Sequence, residues 1–551
     1  MILTLVTRLL RWLGWAVLVV SVGVVLGEVA YEAVRGPVLG QTVWPSPRLW
    51  RCYGATLEMA AAATVIALVL ALPAAFALVA TGQRWQRTLL YCLTIIPLLT
   101  MPSIFAYAWI LVATSHNAVI AWMVKAIGWN TVHAAPLQAA WVLATWLWPI
   151  PALILAASFK QLGARAYQLA CLDASPARAF VCGALPVMRG PIVAALAAVF
   201  ALAVIDSTVA PLMNATDTWS VEMLASAAIS QGYRQPAGFL FWQSWPMLCT
   251  IVILAAAAIP GLRQMAHWAD EADTADTGAL VSTGSVPWAV ASLIAAGITV
   301  FPIIVFAVEL AGGRTPPMEA IATAWKTCGN AALATLMVAG LSGLATTAMA
   351  IALTDDPRWP QTRRLLTGAA TVVVIATAVI PPELTATALV SFYSNRWISH
   401  PGWWNLYENT PLVWVAAMVA RFGFLPVCVA RLLNRRVPQD LTALAMTDGA
   451  GRIQSIAHAR LPILWRGLAA AGMMAACLAI SEAAAAHLIQ PAQFFGGSLA
   501  VHVDSLMHYG RQSATVAMSL MLIVPAVLIA ALAPLLARLR GVGRLPAKIT
   551  A

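Results

Sequence analysis

The sequence predicts an all-α membrane protein of about twelve transmembrane helices in two tandem six-helix repeats. Three observations predict this fold class: the composition, a series of long apolar stretches, and a second half that repeats the first. Of the 551 residues, 61% are hydrophobic and 10% are charged, with a mean hydropathy of +0.83. These values exclude an ordinary soluble globular protein.

Each apolar stretch is about 20 residues long, which is the length an α-helix needs to cross a bilayer. The sequence lacks the short alternating strands of a closed barrel, so the bilayer forces these stretches to be helices. The first six are centred on Val20, Ile66, Met101, Ala144, Val199 and Ile251, and the second six on Gly297, Val338, Val374, Ala417, Met474 and Ile523.

The net charge of +11 is interpreted through membrane topology rather than nucleic-acid binding. With the amino terminus in the cytoplasm, the cytoplasmic segments hold more than twice as many Lys and Arg residues as the outer ones, which predicts that both termini are cytoplasmic. The apolar run from Trp12 to Ala30 is too long for a signal-peptide core, and we interpret it as a retained first span. The eight cysteines are scattered singly and predict neither disulfides nor a metal site.

The second half repeats the first at an offset of about 275 residues. The matching residues occur in the same order: Gly54 with Gly329, Ile150-Pro151 with Leu425-Pro426, Leu185-Pro186 with Leu461-Pro462, Arg189-Gly190 with Arg466-Gly467, and Asp206 with Glu482. Because each repeat holds an even number of spans, both lie the same way up, and a transport path between them is the natural consequence.

This repeat divides the chain into six parts. They are a first span with its outer loop (1–51), a first core (52–265), a polar cytoplasmic linker (266–285), a seventh span with its outer loop (286–327), a second core (328–540) and a cytoplasmic tail (541–551).

A long cytoplasmic segment separates the fourth and fifth spans of each half, from Tyr167 to Pro186 and from Ala443 to Pro462. Each of these two segments predicts a short helix, a tight turn, a second short helix and a proline that ends the second helix. Gly449 adopts positive φ freely, and Asp173 is among the other residues that tolerate it best. In the first segment, Ser175 is a candidate helix cap, with Pro176 at the first helical position.

These two segments resemble the cytoplasmic loop of the ABC importer permease family, whose pattern is E-A-A-x-x-x-G followed, after nine variable residues, by I-x-L-P. Tyr167 and Ala443 stand where the family has Glu, and Asp173 replaces its Gly, so the second loop is the better match. The resemblance implies that the loops dock into ATPase subunits. The coupling residues it implies are Asp173, Ala174, Ser175, Pro176, Leu185, Pro186, Gly449, Ala450, Gly451, Leu461 and Pro462.

The chain contains no G-x-x-x-x-G-K-[ST] phosphate loop, so we expect ATP hydrolysis on a separate subunit and no enzymatic activity or cofactor here. The resemblance implies a bacterial inner-membrane protein whose partners are a dimer of ABC ATPase subunits, a periplasmic substrate-binding protein and membrane lipid, without nucleic acid.

Four ionisable residues are predicted within the membrane: Asp206, Glu383, Arg421 and Glu482. Such residues are costly there and are candidates for lining the translocation path. Two other interpretations stay open. Arg421 could pair with Glu383 or Glu482 to hold helices in register, and Asp206 and Glu482 could lie at the outer boundary in contact with water. Glu383 follows a Pro381-Pro382 break, which is comparable to Pro97 and Pro102 in the first half.

The segments 480–483, 497–501 and 508–510 resemble the ferric-iron branch of these permeases, although thiamine, sulfate and molybdate permeases share much of this pattern. His502 and His508, placed in an outer loop, are poorly spaced to share a helical face, and no metal site is predicted.

Two other functional classes remain open. One is a gradient-driven transporter that uses Asp206 and Glu482 as proton or sodium sites, and the other is a membrane enzyme, for which no catalytic cluster is visible.

Overall fold

The computed structural model describes residues 2–35, 44–80, 83–114, 135–233, 238–269, 285–313, 315–354, 360–394, 410–435, 437, 439–489, 496–509 and 512–538. All regular secondary structure in these residues is helical. The predicted linker at 266–285 falls mostly outside the described residues, and the predicted tail at 541–551 lies wholly outside them.

The described helices of the first half are α1 (Ile2–Leu18), α2 (Val24–Arg35), α3 (Pro47–Ala80), α4 (Arg84–Leu99), α5 (Pro102–Ala113), α6 (Ala135–Leu147), α7 (Pro149–Ser158), α8 (Ala164–Ala170), α9 (Pro176–Ala179), α10 (Leu185–Val187), α11 (Arg189–Val204), α12 (Val209–Leu212), α13 (Trp219–Tyr233) and α14 (Gly238–Ala269). Short π-helical turns occupy Val19–Gly23, Phe159–Gly163 and Phe180–Ala184.

The described helices of the second half are α15 (Ser285–Gly312), α16 (Pro317–Leu353), α17 (Gln361–Ala378), α18 (Pro382–Ser394), α19 (Leu412–Phe422), α20 (Phe424–Arg435), α21 (Gln439–Thr447), α22 (Arg452–Ser455), α23 (Leu461–Ile480), α24 (Ala484–Ile489), α25 (Leu499–Tyr509) and α26 (Gln512–Arg538). A π-helical turn at Ile456–Arg460 joins α22 to α23.

The prediction of an all-α membrane protein is confirmed. Within the described residues, seven helices are long and apolar enough to cross a membrane, and five bent helix pairs raise the number to twelve if each pair is one span. The centres predicted from the sequence all fall within these helices or, for Met101, at the bend of a pair. Bending at Pro is physically expected because Pro lacks the N–H that continues a helix.

The helices of the two halves follow one another in the same order, including the breaks of two bent helix pairs. The pair α4–α5 bends by 91° and its counterpart α17–α18 by 111°, while α6–α7 bends by 45° and α19–α20 by 47°. The fifth span differs, because Phe180–Val187 meets Arg189–Val204 at 69° whereas Ile453–Ile480 runs as one span. This order matches the repeat expected from the sequence.

One hydrogen bond occurs at matching places in both halves. The backbone N–H of Trp219, the first residue of α13, donates to Oγ1 of Thr56 on α3 at 2.8 Å. The N–H of Leu499, the first residue of α25, donates to Oγ1 of Thr335 on α16 at 2.9 Å. The first turn of a helix has N–H groups without intrahelical partners, so α3 and α16 each supply an acceptor to the start of a later helix of the same half.

The first span of each half packs on the long helix of the other half. Helix α1 contacts α16, and α15 contacts α3. At the first of these crossings the helices are close, since a Cβ atom added at Gly14 would stand 2.2 Å from the carbonyl oxygen of Ala348. Arg11 also donates from Nη2 to the carbonyl of Ala352 at 3.3 Å. The halves are therefore interlocked rather than simply apposed.

Candidate functional site

The second paired loop ends its first helix with a left-handed glycine. Gly449 has φ +82°, and the N–H of Ala450 donates to the carbonyl of Ala445 at 2.9 Å. This is the Schellman arrangement, in which a glycine satisfies the last carbonyls of a helix. The side chain of Gln454 then accepts a 2.7 Å hydrogen bond from the N–H of Gly451, the residue that directly precedes the next helix. The predicted turn is present.

The first loop turns differently. Helix α8 ends at Ala170, whose carbonyl accepts the N–H of Ala174 at 3.0 Å, and the carbonyl of Ser175 accepts the N–H of Ala179 at 2.8 Å. Asp173 does not have positive φ, so its tolerance of that conformation is not used in this turn. A side chain in that region costs free energy that glycine avoids, and this turn closes without it.

Both Leu-Pro pairs lie in the first turn of a helix, and the second pair opens its fifth span directly. Leu185 and Leu461 are the first residues of α10 and α23, and each follows directly from a π-helical turn. Pro186 and Pro462 lie in the first turn, where the missing N–H costs nothing. The predicted Pro stop is therefore wrong in the second half, where the loop helix is continuous with the span Ile453–Ile480, whereas in the first half the helix ends at Val187 and the chain bends by 69°.

Both loops present apolar side chains to solvent. Leu172 is 80% exposed in the first loop, together with Leu169, while Leu444 is exposed in the second. Alongside these leucines, the turn residues Asp173, Gly449 and Gly451 are exposed as well. Exposed apolar residues at a loop tip, rimmed by polar ones, are typical of a protein interaction site.

The first loop is anchored by an aromatic cluster formed by Phe76, Phe159, Tyr167 and Phe180. Their ring centroids lie 5.8–6.4 Å apart across five contacts, for example 5.9 Å between Phe159 and Tyr167. Burial, together with the neighbouring Cys171 thiol, raises the pKa of the Tyr167 hydroxyl, so it stays neutral. Tyr167 thus holds the first loop through aromatic packing.

The second loop has a polar anchor and a neighbour from the first half. Arg460, at the position matching Ala184, donates from Nη1 to Oδ1 of Asn434 at 3.0 Å. Asn434 stands at the position matching Phe159. Helix α1 also contacts α22 and the following π-helical turn, with Thr4 Oγ1 3.4 Å from Nε2 of His458. The two loops therefore share a backbone plan and differ in what holds them.

A buried polar cluster lies where the fifth spans end. Arg421 and Glu482 form an ion pair, with Nε 2.9 Å from Oε2. The other Glu482 oxygen accepts the N–H of Ala485 at 3.1 Å, at the start of α24. Asp206 does the same in the first half, where Oδ2 accepts the N–H of Val209 at 2.9 Å. The matched carboxylates thus cap matching short helices.

Glu383 completes this cluster beside the Ser207 hydroxyl. It is 1% exposed, and neither carboxylate oxygen accepts a side-chain or backbone hydrogen bond of good geometry from the described residues. The Ser207 hydroxyl lies within hydrogen-bonding reach of its carboxyl group, and Arg421 and Glu482 lie within electrostatic range of it. The structure therefore brings all four predicted intramembrane charges together, since Asp206 is also within range of Glu482.

Sequence reasoning missed two members of this cluster. Asp504 lies on α25 within electrostatic range of Asp206, and its Oδ1 has no partner among the described residues. Ser207 directly follows Asp206. An acidic residue in an otherwise apolar helical run was a visible signal for Asp504, whereas nothing in the sequence singled out a serine.

No metal centre is formed in the described part of the chain, where no three His, Cys, Asp or Glu side chains are grouped to hold one ion. His502 and His508 lie on α25 rather than in a loop, and Nδ1 of His502 is 2.9 Å from the carbonyl of Ser498.

Comparison of the chain with protein-family models, with curated proteins and with solved structures finds no match.

Proposed function

We propose that this chain is the membrane-spanning subunit of a binding-protein-dependent ABC importer, with both permease halves in one polypeptide and ATP hydrolysed on separate subunits. One observation carries the proposal. The same short helix, turn and second helix recur after the fourth span of both halves and present exposed leucines. Two equivalent loops with exposed apolar side chains suit a partner that has two equivalent clefts.

Ferric iron is the proposed substrate, on the resemblance of the segments around Glu482, Gly497 and His508 to ferric-iron permeases. Thiamine and sulfate are the alternatives within the same family. A gradient-driven transporter is the alternative class, and it would use Asp206 and Glu482 as ion sites. Both carboxylates are engaged in capping helices, which favours the importer.

The test is capture of an ATPase by the tagged full-length chain, isolated from its native membrane. We expect a nucleotide-hydrolysing subunit to copurify, and Ala450→Arg and Leu172→Arg to abolish or strongly weaken capture, because each places a long cation on an exposed loop tip. The same variants should lose ATP-driven uptake while the protein remains in the membrane.

Met318→Arg is the matched control, since Met318 is 78% exposed at the start of α16. The second loop lies at the opposite end of that helix, about 50 Å away along its axis. Capture that survives both loop variants, or uptake driven by an imposed proton or sodium gradient without ATP, would contradict the proposal.

A further inference from the structure

The third spans of the two halves differ in how they are attached to the opposite half. Helix α4, the first part of the third span, packs against α15, α23 and α26 of the second half. In the described residues, three hydrogen bonds to backbone carbonyls strengthen these contacts, namely Thr299 to Leu93 at 2.7 Å, Ser481 to Leu99 at 2.9 Å and Cys92 to Ala530 at 3.2 Å. The Leu99 carbonyl lies at the end of α4, where it has no intrahelical partner. The second half therefore fastens α4 along its length and at the bend.

An apolar cluster lies at the same boundary. Ile96 and Leu99 of α4 pack with Cys477 of α23 and with Ala526 and Ala530 of α26. All five side chains are buried. Hydrogen bonds and close apolar contacts thus join one half to the other here, and we call this boundary between α4 and the helices α23 and α26 the closed seam.

The matching face of α17, the third-span helix of the second half, is exposed. Its positions are found by counting back from the prolines that open α5 and α18, and they are Val372, Ile375 and Ala376. Val372 is 66% exposed and Ile375 is 41% exposed, whereas Ile96, which matches Ala376, is 9% exposed. Among the described residues, α17 has no comparable packing against α11 or α14, the counterparts of α23 and α26. We call this second boundary the open seam.

The side chains at the open seam suit a contact that forms and separates. Helix α14 exposes Val252 and Ile253, so both of its sides are apolar. Lipid chains are as apolar as these residues, so joining or parting the two helices in a bilayer costs little free energy. Ile205 occupies the position that matches Ser481, so the hydroxyl that fastens the closed seam has no equivalent here. Hydrogen bonds of that kind are costly to break in apolar surroundings.

The bend between α17 and α18 lies where a hinge is needed. Pro381 and Pro382 interrupt the backbone hydrogen bonding at this bend, because proline has no N–H. Beyond the bend, α18 is attached to the first half, since Ser391 Oγ donates to Oε1 of Glu28 at 2.7 Å. Helix α17 is therefore the loosely attached arm of a span whose other arm is held.

We propose that α17 is the moving wall of the transport path and that α4 is the fixed one. In one state of the cycle the open seam is parted, as in this structure. In the other state α17 packs on α11 and α14, as α4 packs on α23 and α26. The equivalence of the two repeats identifies this partner surface. The inference rests on the proposed transport function and names the helix whose movement opens and closes the path.

Cross-linking of cysteine pairs with a short bismaleimide tests this inference on the full-length chain in its native membranes. All cysteines outside the pair are replaced by alanine. Cys92 with Ala530→Cys reports on the closed seam. Val372→Cys reports on the open seam and is paired in turn with three exposed positions of α14, Val252→Cys, Ile253→Cys and Ile259→Cys. We expect the closed-seam pair to be joined with and without ATP, and at least one open-seam pair to be joined in only one of these conditions.

Reactivity of single cysteines distinguishes a moving seam from a face that only meets lipid. Ile375→Cys is expected to react with a charged maleimide at least about tenfold faster when the seam is parted, because the reactive thiolate forms only where water reaches the sulfur. Ile95→Cys, the matching position on α4, is expected to stay slow in both conditions. Leu344→Cys, on an exposed face of α16, is the control for a side chain that meets lipid.

The inference fails if the closed-seam pair is not joined, if no open-seam pair is joined in any condition, or if Ile375→Cys is as unreactive as Leu344→Cys. It also fails if an open-seam pair is joined equally whatever the energy source supplied. These outcomes leave ATPase capture untouched. An open seam that responds to an imposed proton or sodium gradient instead of ATP would uphold the moving wall and overturn only the importer proposal.

Discussion

The Nε atom of Arg421 lies 2.9 Å from Oε2 of Glu482, and both side chains are largely buried. In the first half, Trp146 occupies the position matching Arg421, and its indole N–H donates to the carbonyl of Thr100 at 3.1 Å. Asp206 occupies the position matching Glu482. The carboxylate therefore occurs in both repeats and its cation in only one, so helix capping is the shared role and the ion pair is particular to the second half.

Replacing Arg421 by Met is expected to lower the free energy of unfolding by about 3 kcal/mol, because the Glu482 carboxylate would remain buried without its counter-charge. The double variant Arg421→Met, Glu482→Gln is expected to lose less than the sum of the single changes. Thermal unfolding of the purified protein in detergent, arranged as a double-mutant cycle, measures this coupling.

The pair of Arg48 and Glu222 is the control, with atoms 3.2 Å apart and the Arg48 side chain 66% exposed. Solvent screening limits its coupling to less than about 1 kcal/mol. Equal coupling at the two pairs would show that burial does not matter at Arg421. If the buried double variant still transports, the pair has a structural role alone.

The repeated cap between long and short helices supports a second prediction. Thr56→Val and Thr335→Val each leave a backbone N–H at the start of a helix without its acceptor, at Trp219 and Leu499. We expect each change to lower the free energy of unfolding by about 1–3 kcal/mol. Their similar size, measured by thermal unfolding, would reflect the equivalence of the two halves.

Thr327→Val is the matched control on α16, because its exposed hydroxyl bonds only to the carbonyl of Thr323 one turn earlier. A near-neutral result is expected there. If Thr335→Val were as mild as Thr327→Val, the hydroxyl of Thr335 would not be a cap that matters to stability.

The membrane helices and their repetition could be predicted from the sequence because the bilayer leaves little choice. Long apolar runs must become helices, and matched residues such as Asp206 and Glu482 mark equivalent places. The exchange of first spans could not be predicted, since it depends on a contact between Gly14 and Ala348 that are far apart in the chain. The bend angles and the direction of each side chain are likewise set by tertiary packing.

Most residues of the candidate site could be predicted from the sequence, but which of them form the ion pair could not. The sequence placed Glu383, Arg421 and Glu482 in the membrane and left two partners open for Arg421, which the structure resolves in favour of Glu482. Asp504 escaped notice because its role depends on the rotation of α25 toward Asp206. The second Leu-Pro pair was misjudged, since Pro serves equally well to begin a helix.

The crossing of α16 and α23 supports a third prediction. A Cβ atom at Gly343 would stand 2.7 Å from the carbonyl oxygen of Gly472, so the helices approach through bare backbone. Gly343→Ala is expected to lower the free energy of unfolding by about 1–3 kcal/mol through overpacking. Gly340→Ala, three residues earlier with nothing within 4 Å, is the control and is expected to be neutral or slightly stabilising.

The last prediction concerns the turn at Gly449, where φ is +82° and nothing lies within 4 Å of an added Cβ atom. Gly449→Ala therefore creates no clash and acts through backbone strain alone, at a cost of about 1–2 kcal/mol. We expect it to distort the loop tip and weaken ATPase capture, measured on the tagged full-length chain. Gly449→Asn is expected to retain more capture, because Asn tolerates this conformation.

Gly451→Ala, where φ is not positive, is expected to stay close to the wild type. Since the Asp173 turn closes without positive φ, Asp173→Ala is expected to spare the first loop. Equal loss of capture in Gly449→Ala and Gly449→Asn would show that the left-handed turn is not what the partner requires.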